Sequence, residues 1–128
     1  MGTIETKYDL SSDLTIITAK GRMQPADFRE WTAAYYSGEA TSLALWDLTN
    51  ADLSEIRTED LQSDAAHTKS VADVRKGGKT AIVSGNSLEY GLSRMLTTFY
   101  EFEQVPFEVQ VFESMEEAAK WLGVEGVC

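Results

Sequence analysis

Apolar and polar positions along the chain divide it into short strands and amphipathic helices in regular succession. Ile4 to Leu10 and the β-branched run Leu14 to Ala19 read as two strands. The polar residues Ser11, Ser12 and Asp13 join them, which predicts an antiparallel hairpin. Gly21 ends the second strand. Pro25 opens a helix where its missing amide hydrogen costs nothing, and Gly38 closes it. Phe28, Trp31 and Tyr35 fall on one face of that helix. Leu43 to Leu48 is almost continuously apolar, as expected of a strand covered on both faces. A polar loop is expected over Thr49 to Arg57.

Thr58 is a suitable N-cap for the next helix, with Glu59 and Asp60 placing negative charge on its first turn. The pattern carries this helix to about Lys76, with Leu61, Ala65, Thr68 and Ala72 on one stripe. Arg75 and Lys76 suit its C-terminal dipole, and Gly77-Gly78 stop it. Thr80 to Val83 reads as another buried strand. The turn Ser84-Gly85-Asn86-Ser87 leads into a long helix with Leu88, Leu92, Met95, Leu96 and Phe99 on a broad apolar face, broken at Pro106. Phe107 to Phe112 alternates apolar and polar, the mark of a half-exposed edge strand. Ser114 and Glu117 form a capping box for a last helix anchored by Ala118, Trp121 and Leu122. The order β-β-α-β-α-β-α-β-α predicts an α/β fold: a mostly parallel, mixed five-stranded sheet with an opening hairpin and four helices.

The length, 128 residues, suits one domain spanning 1–128. With 43% hydrophobic and 25% charged residues the composition is that of a globular chain, not a disordered, collagen-like or coiled-coil one. The net charge of −10 argues against nucleic-acid partners and anionic membranes. Acids cluster from Asp47 to Asp64 and from Glu101 to Glu117, with a short basic island of Lys69, Arg75, Lys76 and Lys79 between them. Such acidic segments suit a basic partner, although solvation alone also explains them. Cys128, the single cysteine, permits no intramolecular disulfide. No signal peptide and no apolar run near the ~20 residues of a membrane span is visible, so a cytoplasmic protein without membrane insertion is expected.

Three stretches carry a family likeness: Leu45-Trp-Asp-Leu48, Lys79-Thr-Ala-Ile-Val-Ser84, and the strand-helix unit from Phe107 through Glu116-Glu-Ala-Ala-Lys-Trp-Leu-Gly123. With the opening hairpin they make the chain resemble the STAS domain, the family of bacterial anti-sigma-factor antagonists, and within it the SpoIIAA-like branch. That branch is related in fold to the lipid-carrying CRAL-TRIO domain. The resemblance implies a non-enzymatic regulatory module that binds a protein partner and forms a homodimer. It also implies a phosphoacceptor at the start of the helix after the central strand, in an Asp-Ser-Ser-Gly-like stretch. Here that segment contains Asp47, Thr49, Ser54 and Thr58 without that tetrapeptide. Thr58 and Ser54 are the candidate phosphoacceptors, with Glu59 and Asp60 opposing added charge. For Thr58 the competing role is that of a plain helix cap. The CRAL-TRIO likeness implies a second function, carriage of a small apolar, lipid-like ligand.

In open α/β sheets, ligands favour the carboxyl ends of the parallel strands. Two candidate ligand or partner loops fall there: Asp47, Thr49 and Asn50, and Ser84, Gly85, Asn86 and Ser87. The second suits either an anion at a helix N-terminus or a simple capping turn. No nucleotide fingerprint is present, and no cofactor is implied. His67, the single histidine, lacks a nucleophile, a base partner or further metal ligands in the sequence pattern, so no catalytic or metal residue is assigned. The acid pairs Glu59/Asp60 and Glu116/Glu117 are sequence neighbours and do not share a helix face. Aromatic residues exceed what the core stripes require, with Tyr35 and Tyr36, Tyr90 and Tyr100 the least explained. They serve either packing or an apolar pocket between helices.

Overall fold

A computed structural model describes residues 2–38 and 40–124; Cys128 lies outside the described residues. Its elements are β1 (Thr3–Asp9), β2 (Leu14–Arg22), α1 (Pro25–Ser37), β3 (Leu43–Asp52), α2 (Thr58–Val71), β4 (Lys79–Ser84), α3 (Ser87–Glu103), β5 (Glu108–Phe112) and α4 (Met115–Leu122). Short 3-10 turns cover Leu10–Ser12 and Ala72–Arg75. The five strands lie in chain order, β1 antiparallel to β2 and the others parallel. The α/β class, the hairpin and the mixed five-stranded sheet stand as the sequence pattern predicts.

Chain-order stacking of strands has a direct consequence. Parallel crossovers are right-handed, so successive crossovers that advance in one direction lay their helices on one face of the sheet. Leu48, Ala51 and Ile82 pack on that face with Leu53, Ile56 and Leu61, joined by Phe28 of α1 and Leu92, Leu96 and Phe99 of α3. The opposite face is built from Leu14, Leu45, Ala81 and Val83 and is covered by α4 through Ala118, Ala119 and Leu122.

Four local expectations need correction. β3 runs on to Asp52, through residues expected to form a loop. The parallel register with β2 shifts there: Thr18 pairs Asp47 but Lys20 pairs Asn50, so Leu48 and Thr49 together face Ala19. This bulge changes the phase of the strand, which puts Leu48, Ala51 and Leu53 on one face. Thr58 is the first helical residue of α2, not its cap; Arg57 holds the cap position, and its amide donates to the Asp60 carboxylate at 2.8 Å. Helix α2 ends at Val71 and tightens into the 3-10 turn before Lys76, which buries Arg75 at 2% exposure and removes it from the basic surface island. On α3 the inward face is narrower than expected: Leu88 and Met95 are exposed, while Glu89 and Ser93 are buried.

The close approach of the α1–β3 connection to the start of β4 depends on Gly78. A Cβ there would overlap the Ser42 carbonyl oxygen, which accepts from the Lys79 amide at 2.9 Å. Gly78→Ala is expected to lower stability by about 1–3 kcal/mol, the range for overpacking. Urea unfolding measures this; an unchanged midpoint would show that the two segments can separate without loss.

Candidate functional site

A cavity of about 520 Å³ lies on the three-helix face, over β3 and β4. Its size falls within the range of small-molecule sites. Ala44, Trp46 and Leu48 alternate along β3 and, with Ile82 of β4, form its floor; Leu53, Ile56, Leu61, Leu92 and Leu96 close one end. Phe28, Trp31, Tyr35 and Tyr36 line it from α1. A central-strand residue beneath three helices is ordinarily buried, yet Trp46 is only half-buried because the cavity lies above it. Among the lining residues, Arg29 and Ala33 on α1 and Ser63 and His67 on α2 are exposed, so the opening falls between these two helices.

The aromatic lining is a connected chain of rings. Phe28 and Trp46 lie 5.7 Å apart between centroids, and Trp31 meets Trp46 edge-on at 4.8 Å. Trp31 also stacks on Tyr35 at 4.7 Å, and Tyr35 meets Tyr36 edge-on at 5.0 Å. Such contacts fix rigid side chains in place without filling the space they surround. The surplus of aromatics in the sequence thus lines this cavity in large part.

Opposite the aliphatic end the wall is polar. Arg75 donates from Nε to the Thr41 carbonyl at 2.8 Å, and from Nη2 to the Ser42 and Lys79 carbonyls at 3.2 and 2.9 Å. Its Nη1 donates to the Thr80 hydroxyl at 2.8 Å and to the Tyr36 hydroxyl at 3.3 Å. All donor positions of the guanidinium are therefore used. Its Cζ lies 4.4 Å from the Phe107 ring centroid and 5.8 Å from that of Tyr35. On the α2 side Tyr100 donates to Asp64 Oδ2 at 2.7 Å. Burial pushes the Asp64 carboxyl above its ordinary range, against the Tyr100 hydrogen bond that lowers it. Burial, then the Asp64 charge, pushes the Tyr100 phenol well up; burial also raises Tyr36, partly opposed by the Arg75 charge.

The candidate residues chosen from the sequence lie elsewhere. Thr58 is exposed, its hydroxyl 3.7 Å from the Met95 sulfur, and Ser54 is exposed with its amide donating to Asp52 at 2.9 Å. Asp47, Thr49 and Asn50 belong to β3 rather than to a loop, and Asp47 accepts from the Thr49 amide at 3.0 Å. Gly85 passes against Thr49 so closely that a Cβ on it would come within 2.7 Å of the Thr49 carbonyl oxygen. The two segments at the strand ends thus meet at Thr49 and Gly85. The α3 N-terminus beside Ser84 and Ser87 is occupied by its own side chains: Asn86 Oδ1 accepts from the Leu88 and Glu89 amides, and Asn86 Nδ2 donates to Glu89. None of these segments lines the cavity apart from the strand floor they continue. Sequence reasoning missed Arg75, Asp64 and Thr80. A cation two residues before a Gly-Gly stop reads as a helix terminator, and nothing in the pattern distinguishes it from a buried clasp.

Four sequential strands after an antiparallel opener, with three helices on one face and a terminal helix on the other, make the fold SpoIIAA-like. Among solved structures the chain is similar to an uncharacterized protein of the DUF3478 family from Shewanella loihica PV-4, described as having that fold. The TM-score is 0.60 at 23% identity, over 94% of this chain and 93% of that one. No family model and no curated protein matches the sequence. Among the described residues no helix is long and apolar enough to cross a membrane.

The Asp64 environment sets a pH dependence. A carboxyl whose pKa is raised above 3.8 on folding stabilises the folded protein in acid, and that contribution is lost as pH rises through the raised value. Asp64→Asn keeps an acceptor for Tyr100 and carries no charge. The variant is expected to melt above the parent at neutral pH, with the gap closing as pH falls toward 3.8. Thermal midpoints across that range test it; a gap independent of pH would trace the effect to packing instead.

Proposed function

We propose that this protein is a non-enzymatic binding module that takes up a small, largely apolar molecule in the cavity between α1 and α2. The observation that carries this reading is a partly open pocket of about 520 Å³ whose walls are mostly aromatic and aliphatic. Apolar surface facing water is unfavourable, by roughly 25 cal/mol for each Å² exposed, and a matching ligand relieves it. The CRAL-TRIO likeness of the sequence supports the same class of ligand.

The test is to close the entrance without touching the core. Ala33 and Ser63 are exposed on either side of the opening, so Ala33→Phe with Ser63→Phe should fold normally. The parent protein is expected to enhance the emission of neutral N-phenyl-naphthylamine, and the double variant to lose most of that enhancement. Equal enhancement in both would remove the cavity as the binding site.

A second reading, docking to a regulatory protein under control of phosphorylation, is supported by the exposure of Thr58 and Ser54 where β3 turns into α2. A phosphate on Thr58 would displace its hydroxyl from Met95 and stand beside Glu59 and Asp60. Intact-mass measurement of protein isolated from its native cells tests this. Phosphate that disappears from Thr58→Ala or Ser54→Ala supports docking control, and its absence from the parent counts against it.

A further inference from the structure

Two of the charged groups in the cavity wall, Arg75 and Asp64, are not equivalent. Arg75 presents no unused donor, because three carbonyl oxygens and two hydroxyls take its hydrogens, and the Phe107 and Tyr35 rings lie against it. An anionic head group entering the cavity therefore finds no free guanidinium hydrogen. Asp64 is different. One of its oxygens accepts from Tyr100, and the other has no hydrogen-bond donor among the described residues. No cation is within ion-pair distance of it, the single ion pair among the described residues being Arg22 with Asp52, and His67 acts on it only from farther away. A half-buried carboxylate with an open oxygen, in a cavity lined by Tyr36, Trp31 and Tyr100, is suited to a donor that also carries positive charge. The net charge of −10 draws cations toward the protein and repels anions.

We infer that the ligand is an amphipathic amine, its ammonium at the open Asp64 oxygen and its apolar body along Trp46 toward Leu53 and Ile56. This inference rests on the cavity being a binding site and specifies the head group it takes. Asp60, half-buried on the same helix, adds negative charge, which offsets Arg29 and His67 at the exposed mouth, His67 being the cation that acts on the Asp64 charge. Tyr36 accepts from Arg75 and keeps its own hydrogen for a second neutral contact.

Calorimetric titration of the parent protein and Asp64→Asn with octylamine, octanol and octanoate at neutral pH separates the alternatives. For the parent, octylamine is expected to bind about tenfold or more tightly than octanol, as a charge-assisted hydrogen bond does over a neutral one, with octanoate the weakest. In Asp64→Asn the amine preference disappears while octanol affinity stays unchanged. That unchanged octanol affinity, with an unchanged far-UV circular dichroism spectrum, shows that Asp64→Asn is folded and its cavity intact. Equal binding of octylamine and octanol to the parent, tightest binding of octanoate, or an amine preference that survives in Asp64→Asn overturns the inference and leaves the cavity reading standing. If none of the three compounds binds the parent, both fall together.

Discussion

A guanidinium buried without a carboxylate beside it is strongly unfavourable unless hydrogen bonds replace its water shell. In this protein they do so completely. The oxygens come from the connection after α1, from the first residues of β4 and from Tyr36, and the ring of Phe107 precedes β5. Arg75 thereby draws the C-terminal end of α1, the starts of β3 and β4 and the approach to β5 around one point. Truncating it would leave three backbone carbonyls without this donor and remove the stacking partner of two rings. The polar end of the cavity is held by that clasp, so the distance between α1 and the sheet is set there.

The cavity itself follows from topology. Strands added in chain order send each right-handed crossover to the same side, so three helices share one face of the sheet. Helix α1 approaches β1 through Trp31, whose indole N–H donates to Thr6 at 2.9 Å, while α3 leans toward β5 through Leu96 and Phe99. Trp46 and Ile82, at the middle of the sheet, are left beneath the gap. On the other face one short helix suffices, because small residues, Ala81, Ala118 and Ala119, let it lie close. One face of the sheet is thus tightly packed and the other left open.

Much of this fold is legible in the sequence, because the strands and helices alternate with strong local signals: Pro25 and Gly38 around α1, Ser114 before α4, the strict alternation of β5. The bulge at Leu48 and Thr49 hides the second half of β3, since a strand that changes phase loses its alternation just where a loop is the simpler reading. The site was legible only as an excess. Aromatics beyond the needs of the core stripes were visible, but the same residues fill a core or line a cavity, and which they do depends on how far apart the helices stand. Arg75 and Asp64 could not be assigned because their meaning is tertiary: one is defined by carbonyls 33 and 34 residues away, the other by a tyrosine 36 residues away. The general preference of ligands for the carboxyl ends of parallel strands pointed to the turn before α3, where Asn86 instead closes the helix terminus with its own side chain.

The placement of the three tryptophans has an optical consequence. Trp31 and Trp46 are in the cavity wall, within van der Waals reach of anything that occupies it, whereas Trp121 lies on the opposite face beside Phe112 and under the Lys79 ammonium. The sheet stands between the two groups. Indole emission from the first pair reports the polarity and quenching character of the cavity contents, and emission from Trp121 stays as an internal reference. Replacing Trp121 by phenylalanine would leave a protein whose indole emission comes from the cavity wall alone, so that whatever occupies the cavity is written directly in its tryptophan spectrum.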